Sequence, residues 1–147
     1  MYSLDEIAKE VRGHRGVRRK KDIGRIVNLF SNDALASFGE DCAVIKNGKK
    51  VILFACDGII DTIVKRDPYL AGYFSILVNA NDIASMGGKS LAAVNVVSYR
   101  NSRVLNRMLE GLADGSKKFG VQIVGGHSHP YCKYDSVSVS IFGEARL

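Results

Sequence analysis

At 147 residues, 46% hydrophobic and 24% charged, the chain is long enough for one domain with a real core and too apolar for intrinsic disorder. No apolar run approaches the roughly 20 residues needed to span a bilayer, and Met1-Tyr2-Ser3-Leu4-Asp5-Glu6 lacks the basic-then-apolar order of a secretory leader. The net charge of +6 comes from 21 Lys and Arg against 15 Asp and Glu, and much of the excess lies between Arg12 and Lys21, where there is no acid. Such a block suits a polyanion, either nucleic acid or a nucleotide's phosphates, or else a solvated helix start.

Ser3-Leu4-Asp5-Glu6 is a capping-box pattern, predicting a helix to about Val11 closed by Gly13. The segment from Gly13 to Gly16 is expected to be a flexible basic loop. Ile23, Ile26, Val27 and Phe30 recur at helical spacing and predict a second helix from about Arg18 to Phe30. Cys42 to Ile45 and Val51 to Cys56 are strand candidates flanking Lys46-Asn47-Gly48-Lys49, which contains an Asn-Gly hairpin signal. The second of these is apolar throughout, as a strand buried on both faces would be.

Pro68 to Met86 has the pattern of a long helix, with Pro68 in its first turn and Gly87-Gly88 as its stop. Leu91 to Val97 is a further strand, and Asn101-Ser102 opens a helix with Val104, Met108, Leu109 and Leu112 on one face. Val121 to Val124 is a short strand leading into Gly125-Gly126 and a polar loop, His127-Ser128-His129-Pro130. The last strand alternates, with Val137, Val139 and Ile141 on one side and Ser136, Ser138 and Ser140 on the other. This order predicts an α+β fold with a mixed or antiparallel sheet of four to five strands, rather than a doubly wound one.

Cys42, Cys56 and Cys132 are odd in number and have no C-x-x-C spacing, so free thiols in a reducing cytoplasm are expected rather than a disulfide or zinc site. Three acids stand at unusual places. Asp41 begins one strand, Asp57 ends the most apolar strand, and Asp82 sits within the apolar helix. Ser75, Asn79 and Asp82 share one face of that helix. Carboxylates gathered from strand and helix ends suit Mg²⁺, a hard cation held by a few carboxylates, phosphate oxygens and water. Turn chemistry for Asp41 and Asp57, and a buried hydrogen bond or ion pair for Asp82, are the alternatives. Gly125 and Gly126 would let backbone N–H groups approach an anion beside His127 and His129, unless this is merely a polar surface loop.

Gly39-Glu40-Asp41-Cys42-Ala43-Val44, Asp57-Gly58, Asn79-Ala80-Asn81-Asp82-Ile83-Ala84-Ser85-Met86-Gly87-Gly88 and Gly125-Gly126-His127-Ser128 occur in an order that resembles the aminoimidazole ribonucleotide (AIR) synthase-like superfamily. That group includes AIR synthase, thiamine-monophosphate kinase, selenophosphate synthetase and a hydrogenase maturation factor. The Gly-Gly-His-Ser-His-Pro segment and the strand after it look closest to an AIR-synthase-related branch of methanogenic archaea. The resemblance covers nearly all of residues 1–147 and only the first half of the family's two-domain architecture, the C-terminal domain being absent.

The resemblance implies ATP and Mg²⁺ as cofactors and a phosphoryl-transfer or ATP-activated ligase-type activity on a small-molecule acceptor. By the same resemblance Asp41, Asp57 and Asp82 hold Mg²⁺ on the ATP phosphates. Asn79, Gly87, Gly125 and Gly126 line the nucleotide site. Lys20 or Lys21 closes over the phosphates from the Gly13–Lys21 segment, and His127 occupies a position where relatives place Asp, Glu or His. The family pairs such domains as homodimers with a barrel between them. Two features depart from the pattern: Glu40 stands where many relatives have Asp, and the Cys or selenocysteine loop of selenophosphate synthetase is absent. A different class remains open, a non-catalytic dimeric module using Arg12–Lys21 to hold nucleic acid or a protein partner.

Overall fold

The computed structural model describes residues 2–146, which divide into two units, Met1–Asp33 and Ala34–Leu147. In the first, α1 (Leu4–Gly13) begins as expected: Glu6 N–H donates to Ser3 Oγ, and Ser3 N–H donates to Glu6 Oε2 at 2.8 Å. That backbone bond and a second one from the Ser3 hydroxyl to Glu6 Oε2 at 3.0 Å hold the Glu6 carboxyl below its usual pKa. The Gly13–Gly16 segment is not a free loop. His14 Nδ1 accepts from Gly16 N–H and caps the short α2 (Arg15–Arg18).

The expected helix from Arg18 to Phe30 is not continuous. Residues 19–22 form a turn with i→i−3 bonds from Lys20 to Val17 and from Lys21 to Arg18, and α3 covers only Ile23–Val27. Four adjacent cations repel along a helix, Gly24 is a weak helix former, and no side chain of α1–α3 is buried to offset either cost.

The second unit holds a five-stranded sheet made of β1 (Ala43–Asn47), β2 (Lys50–Gly58), β3 (Lys89–Tyr99), β4 (Gln122–Pro130) and β5 (Ser136–Arg146). The spatial order is β1-β2-β5-β3-β4; β3 and β4 run parallel, and the other neighbours are antiparallel. This is the α+β mixed sheet expected. In the β1–β2 hairpin Asn47 pairs with Lys50, so the loop residues are Gly48 and Lys49, one position beyond the Asn-Gly pair. Gly48 has φ 63°, which suits a two-residue loop whose first position needs a left-handed residue.

Three helices accompany the sheet: α4 (Asp61–Arg66), α5 (Pro68–Ser85) and α6 (Ser102–Phe119). Asp67 Oδ1 accepts from Tyr69 N–H and Leu70 N–H at the start of α5. At its end Gly87 N–H donates to the Ala84 carbonyl and Gly88 N–H to that of Ile83, with Gly87 at φ 70°. This paired arrangement satisfies the last carbonyls of the helix and explains Gly87 as a stop. α5 packs on β2, β3 and β5, and α6 packs on β3, β4 and α5.

The core lies between the sheet, α5 and α6, where Leu53, Ile76, Ile83, Met108, Leu112, Val137, Val139 and Ile141 are all buried. α5 and α6 approach closely because both carry glycines at the crossing. A Cβ on Gly72 would sit 2.1 Å from the Met108 carbonyl oxygen, and one on Gly111 2.0 Å from that of Tyr69. Beyond α6, Asp135 accepts from Arg100 N–H and Nε at 2.8 Å each. That pairing satisfies an almost wholly buried carboxylate.

Among the described residues of this unit, none of α4–α6 covers the other face of the sheet. Ile45, Phe54, Val94 and Val96 are exposed there, and Phe54 meets Phe142 edge-to-face at 6.0 Å. The continuously apolar Val51 to Cys56 is therefore not buried on both sides within one chain: Val51, Leu53 and Ala55 are buried, whereas Phe54 and Cys56 are open. Among the described residues no helix is long and apolar enough to cross a membrane, and all three cysteines are free.

Candidate functional site

Asp57 lies two residues beyond the buried Ala55 and so projects from the end of β2 toward the helix-covered side. Asp82 is on the last turns of α5, and Asp41 stands just before β1. These three elements bring the acids together. The Asp82 carboxyl is raised above its ordinary pKa, first by burial and then by the charges of Asp57 and Asp41. Cys42, wholly buried beside them, has its thiol pushed up to about 11 by burial and by the charges of Asp82 and Asp41. It is a packing residue, not a nucleophile.

Ser85, which the sequence patterns did not single out, ties the cluster together. Its Oγ donates to Asp41 Oδ2 at 2.7 Å and lies 2.8 Å from the Asp82 carbonyl oxygen. Its position three residues after Asp82, on the same side of the helix, is the signal that would have found it.

Asn79 is one turn before Asp82 and fully buried. Its Nδ2 donates to the Ser75 carbonyl at 2.8 Å, while Oδ1 has no partner, although it is sealed from solvent. Leaving a buried acceptor unpaired costs about 1–3 kcal/mol. A buried carbonyl oxygen and three carboxylates in one neighbourhood form a site short of positive charge.

Among the described residues no three His, Cys, Asp or Glu side chains are gathered closely enough to hold an ion by themselves. Mg²⁺ on a polyphosphate needs only one or two carboxylates, which share the ion with phosphate oxygens and water rather than enclosing it. The donors are hard oxygens, and the field is negative. The set fits Mg²⁺ carried on a polyphosphate and does not fit a softer metal.

The segment expected to be a polar loop, His127 to Pro130, belongs to β4 and pairs with Val96 to Tyr99 of β3. A bulge at Val124 precedes Gly125 and Gly126. Gly126 packs against β3: a Cβ there would sit 2.5 Å from the Asn95 carbonyl oxygen. Gly125 has more room. Asp57, Val139, Asn95 and Gly126 are successive partners across β2, β5, β3 and β4. Three strand spacings, about 14 Å, therefore separate the glycine pair and His127 from the Asp57 position. Lys20 and Lys21 lie in the turn between α2 and α3 of the first unit, both exposed.

Residues 39–145 match the family described as AIR synthase related protein, N-terminal domain, and the chain belongs to that family. An uncharacterised protein of Methanocaldococcus jannaschii is 40% identical over 152 residues, covering 98% of this chain and 47% of its own length. A thiamine-monophosphate kinase of Archaeoglobus fulgidus is 28% identical over 129 residues, covering 82% of this chain and 42% of its own. T. maritima PurL, solved in complex with ATP, superposes with a TM-score of 0.76 at 18% identity over 84% of this chain and 23% of its own, a likeness of fold alone. The chain thus spans less than half the length of these relatives.

Proposed function

We propose that this chain is the ATP- and Mg²⁺-handling half of a phosphoryl-transfer or ATP-activated ligase-type enzyme. The observation that carries it is the convergence of Asp41, Asp57 and Asp82, with Asp82 held above its ordinary pKa by burial and by the other two charges. The unpartnered Oδ1 of Asn79 in the same stretch of α5 supports it. So does the relationship to a protein named thiamine-monophosphate kinase. An acid cluster of this kind repels a bare polyanion, which disfavours a module built only to hold nucleic acid.

Asp57 and Asp82 are the residues that would hold Mg²⁺, with Asp41 and its Ser85 hydrogen bond beside them. The ion would neutralise charge on the phosphoryl group being transferred. Asp41 and Ser85 fix the position of the loop ahead of β1 against the end of α5. Gly87 ends that helix at the site, and Gly125 and Gly126 let the β4 backbone approach β3 closely enough to leave space for a ligand. Lys20 and Lys21 provide cations for the phosphates, and His127 a polar group on β4. The acceptor is a small molecule.

The protein works as a homodimer joined through the sheet face that α4–α6 leave uncovered, supported by the exposure of Phe54, Val94, Val96 and Val124. Three free cysteines accord with a reducing cytoplasm.

Calorimetry with a non-hydrolysable ATP analogue, with and without Mg²⁺, tests the site. Binding should require Mg²⁺ and weaken about tenfold or more in Asp57→Asn. It should also weaken in Lys20→Ala/Lys21→Ala, with the folding of both variants unchanged. Equal affinity in the parent and in a well-folded Asp57→Asn would remove the metal assignment.

A further inference from the structure

Ser85 is the last residue of α5, and Asp41 lies 44 positions earlier, just ahead of β1. One hydrogen bond joins them, from Ser85 Oγ to Asp41 Oδ2 at 2.7 Å. The Asp82 carbonyl oxygen is also within 2.8 Å of that hydroxyl. A hydroxyl has a single proton, and an ionised carboxylate is the stronger acceptor, so the proton belongs to Asp41. The backbone around Asp41 is held by other means. Glu40 N–H donates to the Ser37 carbonyl, Cys42 is buried, and Val44 bonds with Leu35 and Ala36. What Ser85 adds is the rotation of the Asp41 carboxylate: Oδ2 is turned to α5, and among the described residues Oδ1 has no hydrogen-bond partner.

We propose that Ser85 is a positioning residue that sets the cation preference of the site by leaving Asp41 a single free oxygen. The proposal rests on the Mg²⁺ reading given above and adds how the ion is chosen. Mg²⁺ demands a near-ideal octahedron at about 2.0–2.1 Å, and a carboxylate gripping with both oxygens has too narrow a bite for right-angled positions. Ca²⁺, at about 2.3–2.6 Å and with a looser geometry, accepts a two-oxygen carboxylate readily. An Asp41 tied to α5 by one oxygen offers the other alone, which suits the smaller ion. Freed from Ser85, the same carboxylate turns both oxygens outward, and the larger ion gains.

The rest of the neighbourhood attracts cations without choosing among them. Asp82 and Ser85 sit in the last turn of an 18-residue helix, whose carboxyl end is the negative end of its dipole. That field favours Mg²⁺ and Ca²⁺ alike, since both carry the same charge. The choice falls to the number of oxygens presented, and Ser85 governs that number at Asp41.

The test is calorimetry of a non-hydrolysable ATP analogue on the full chain, with Mg²⁺ or Ca²⁺ as the sole divalent ion, in the parent, Ser85→Ala and Ser85→Thr. The quantity read is the ratio of the two affinities. The parent should favour Mg²⁺, and Ser85→Ala should move the ratio toward Ca²⁺ by about tenfold, since loss of a residue that supports a metal ligand costs roughly 10–100-fold. Ser85→Thr keeps the hydroxyl and should retain the parent ratio. A hydroxyl that only fastened the loop would, once removed, weaken binding with both ions equally. An unchanged ratio in Ser85→Ala, which is exposed and should fold as the parent does, overturns the proposal and leaves the aspartate site standing. A parent that binds the nucleotide equally well with either ion also overturns it. A parent that binds with neither ion overturns the Mg²⁺ reading as well.

Discussion

The two faces of the sheet are built from the same alternating strands and meet opposite fates. On one, Val137, Val139 and Ile141 are sealed under α5, with glycines letting α6 press against it. On the other, Phe54, Val94 and Val96 face outward with Ser138 and Ser140 between them. Alternation alone says that two faces exist and not which one is covered. What distinguishes them is volume: the covered side has room only for glycine where the helices cross, while on the open side Phe54, Val94 and Val96 are exposed.

The largest expected effect falls on the covered face. Gly111→Ala places a methyl group against the Tyr69 backbone, where neither partner can rotate away. It should cost about 2–3 kcal/mol in chemical denaturation, despite alanine's better helix propensity. A neutral result would mean that α5 and α6 separate freely. On the open face, Val96→Asp should leave the far-UV circular dichroism of the monomer intact and convert a dimer to monomers in light scattering. A parent that is monomeric at micromolar concentration would end the dimer proposal.

The smallest effect belongs to the end of α5, between the two faces. The folded Asp82 carboxyl binds its proton more tightly than the unfolded one. Its contribution to stability is therefore present below the unfolded pKa and is lost as the pH rises through the raised folded pKa. Asp82→Asn removes that loss, so without Mg²⁺ the variant should melt slightly higher than the parent at pH 7. The gain should vanish as the pH falls through the carboxylate range, and nucleotide binding should weaken in the same variant. A variant that melts below the parent at neutral pH would show that Asp82 is satisfied in place.

Elements with a strong period were legible in the sequence. Pro68 and Gly87 bracketed α5, and the serine–valine alternation marked β5. What was missed has physical causes. β4 gains its strand character from main-chain pairing with β3, and Gly-Gly-His-Ser-His-Pro has no apolar alternation to announce it. α4, at six residues, is too short to display a period, and its Asp61–Lys65 ion pair is a surface detail. The broken Arg18–Phe30 helix had the right apolar spacing, but none of the side chains of α2 or α3 is buried to reward it. In the candidate site, the three aspartates stood out because they interrupt apolar stretches. Ser85 did not, because a serine at a helix end is ordinary until its hydrogen bond to Asp41 is seen.

β5 lies in the middle of the sheet, yet it is the last of the five strands along the chain. During translation the β1–β2 hairpin and the β3-α6-β4 unit emerge first as two halves linked through α5 but by no strand pairing. Residues 136–146 then have to insert between both, pairing with β2 and β3 together. Until the ribosome releases that stretch, the inner edges of β2 and β3 remain unpaired and adhesive. A nascent chain stalled before Ser136 is thus a prime client for chaperones, and completion of the sheet is a late, long-range step that sets the pace of folding.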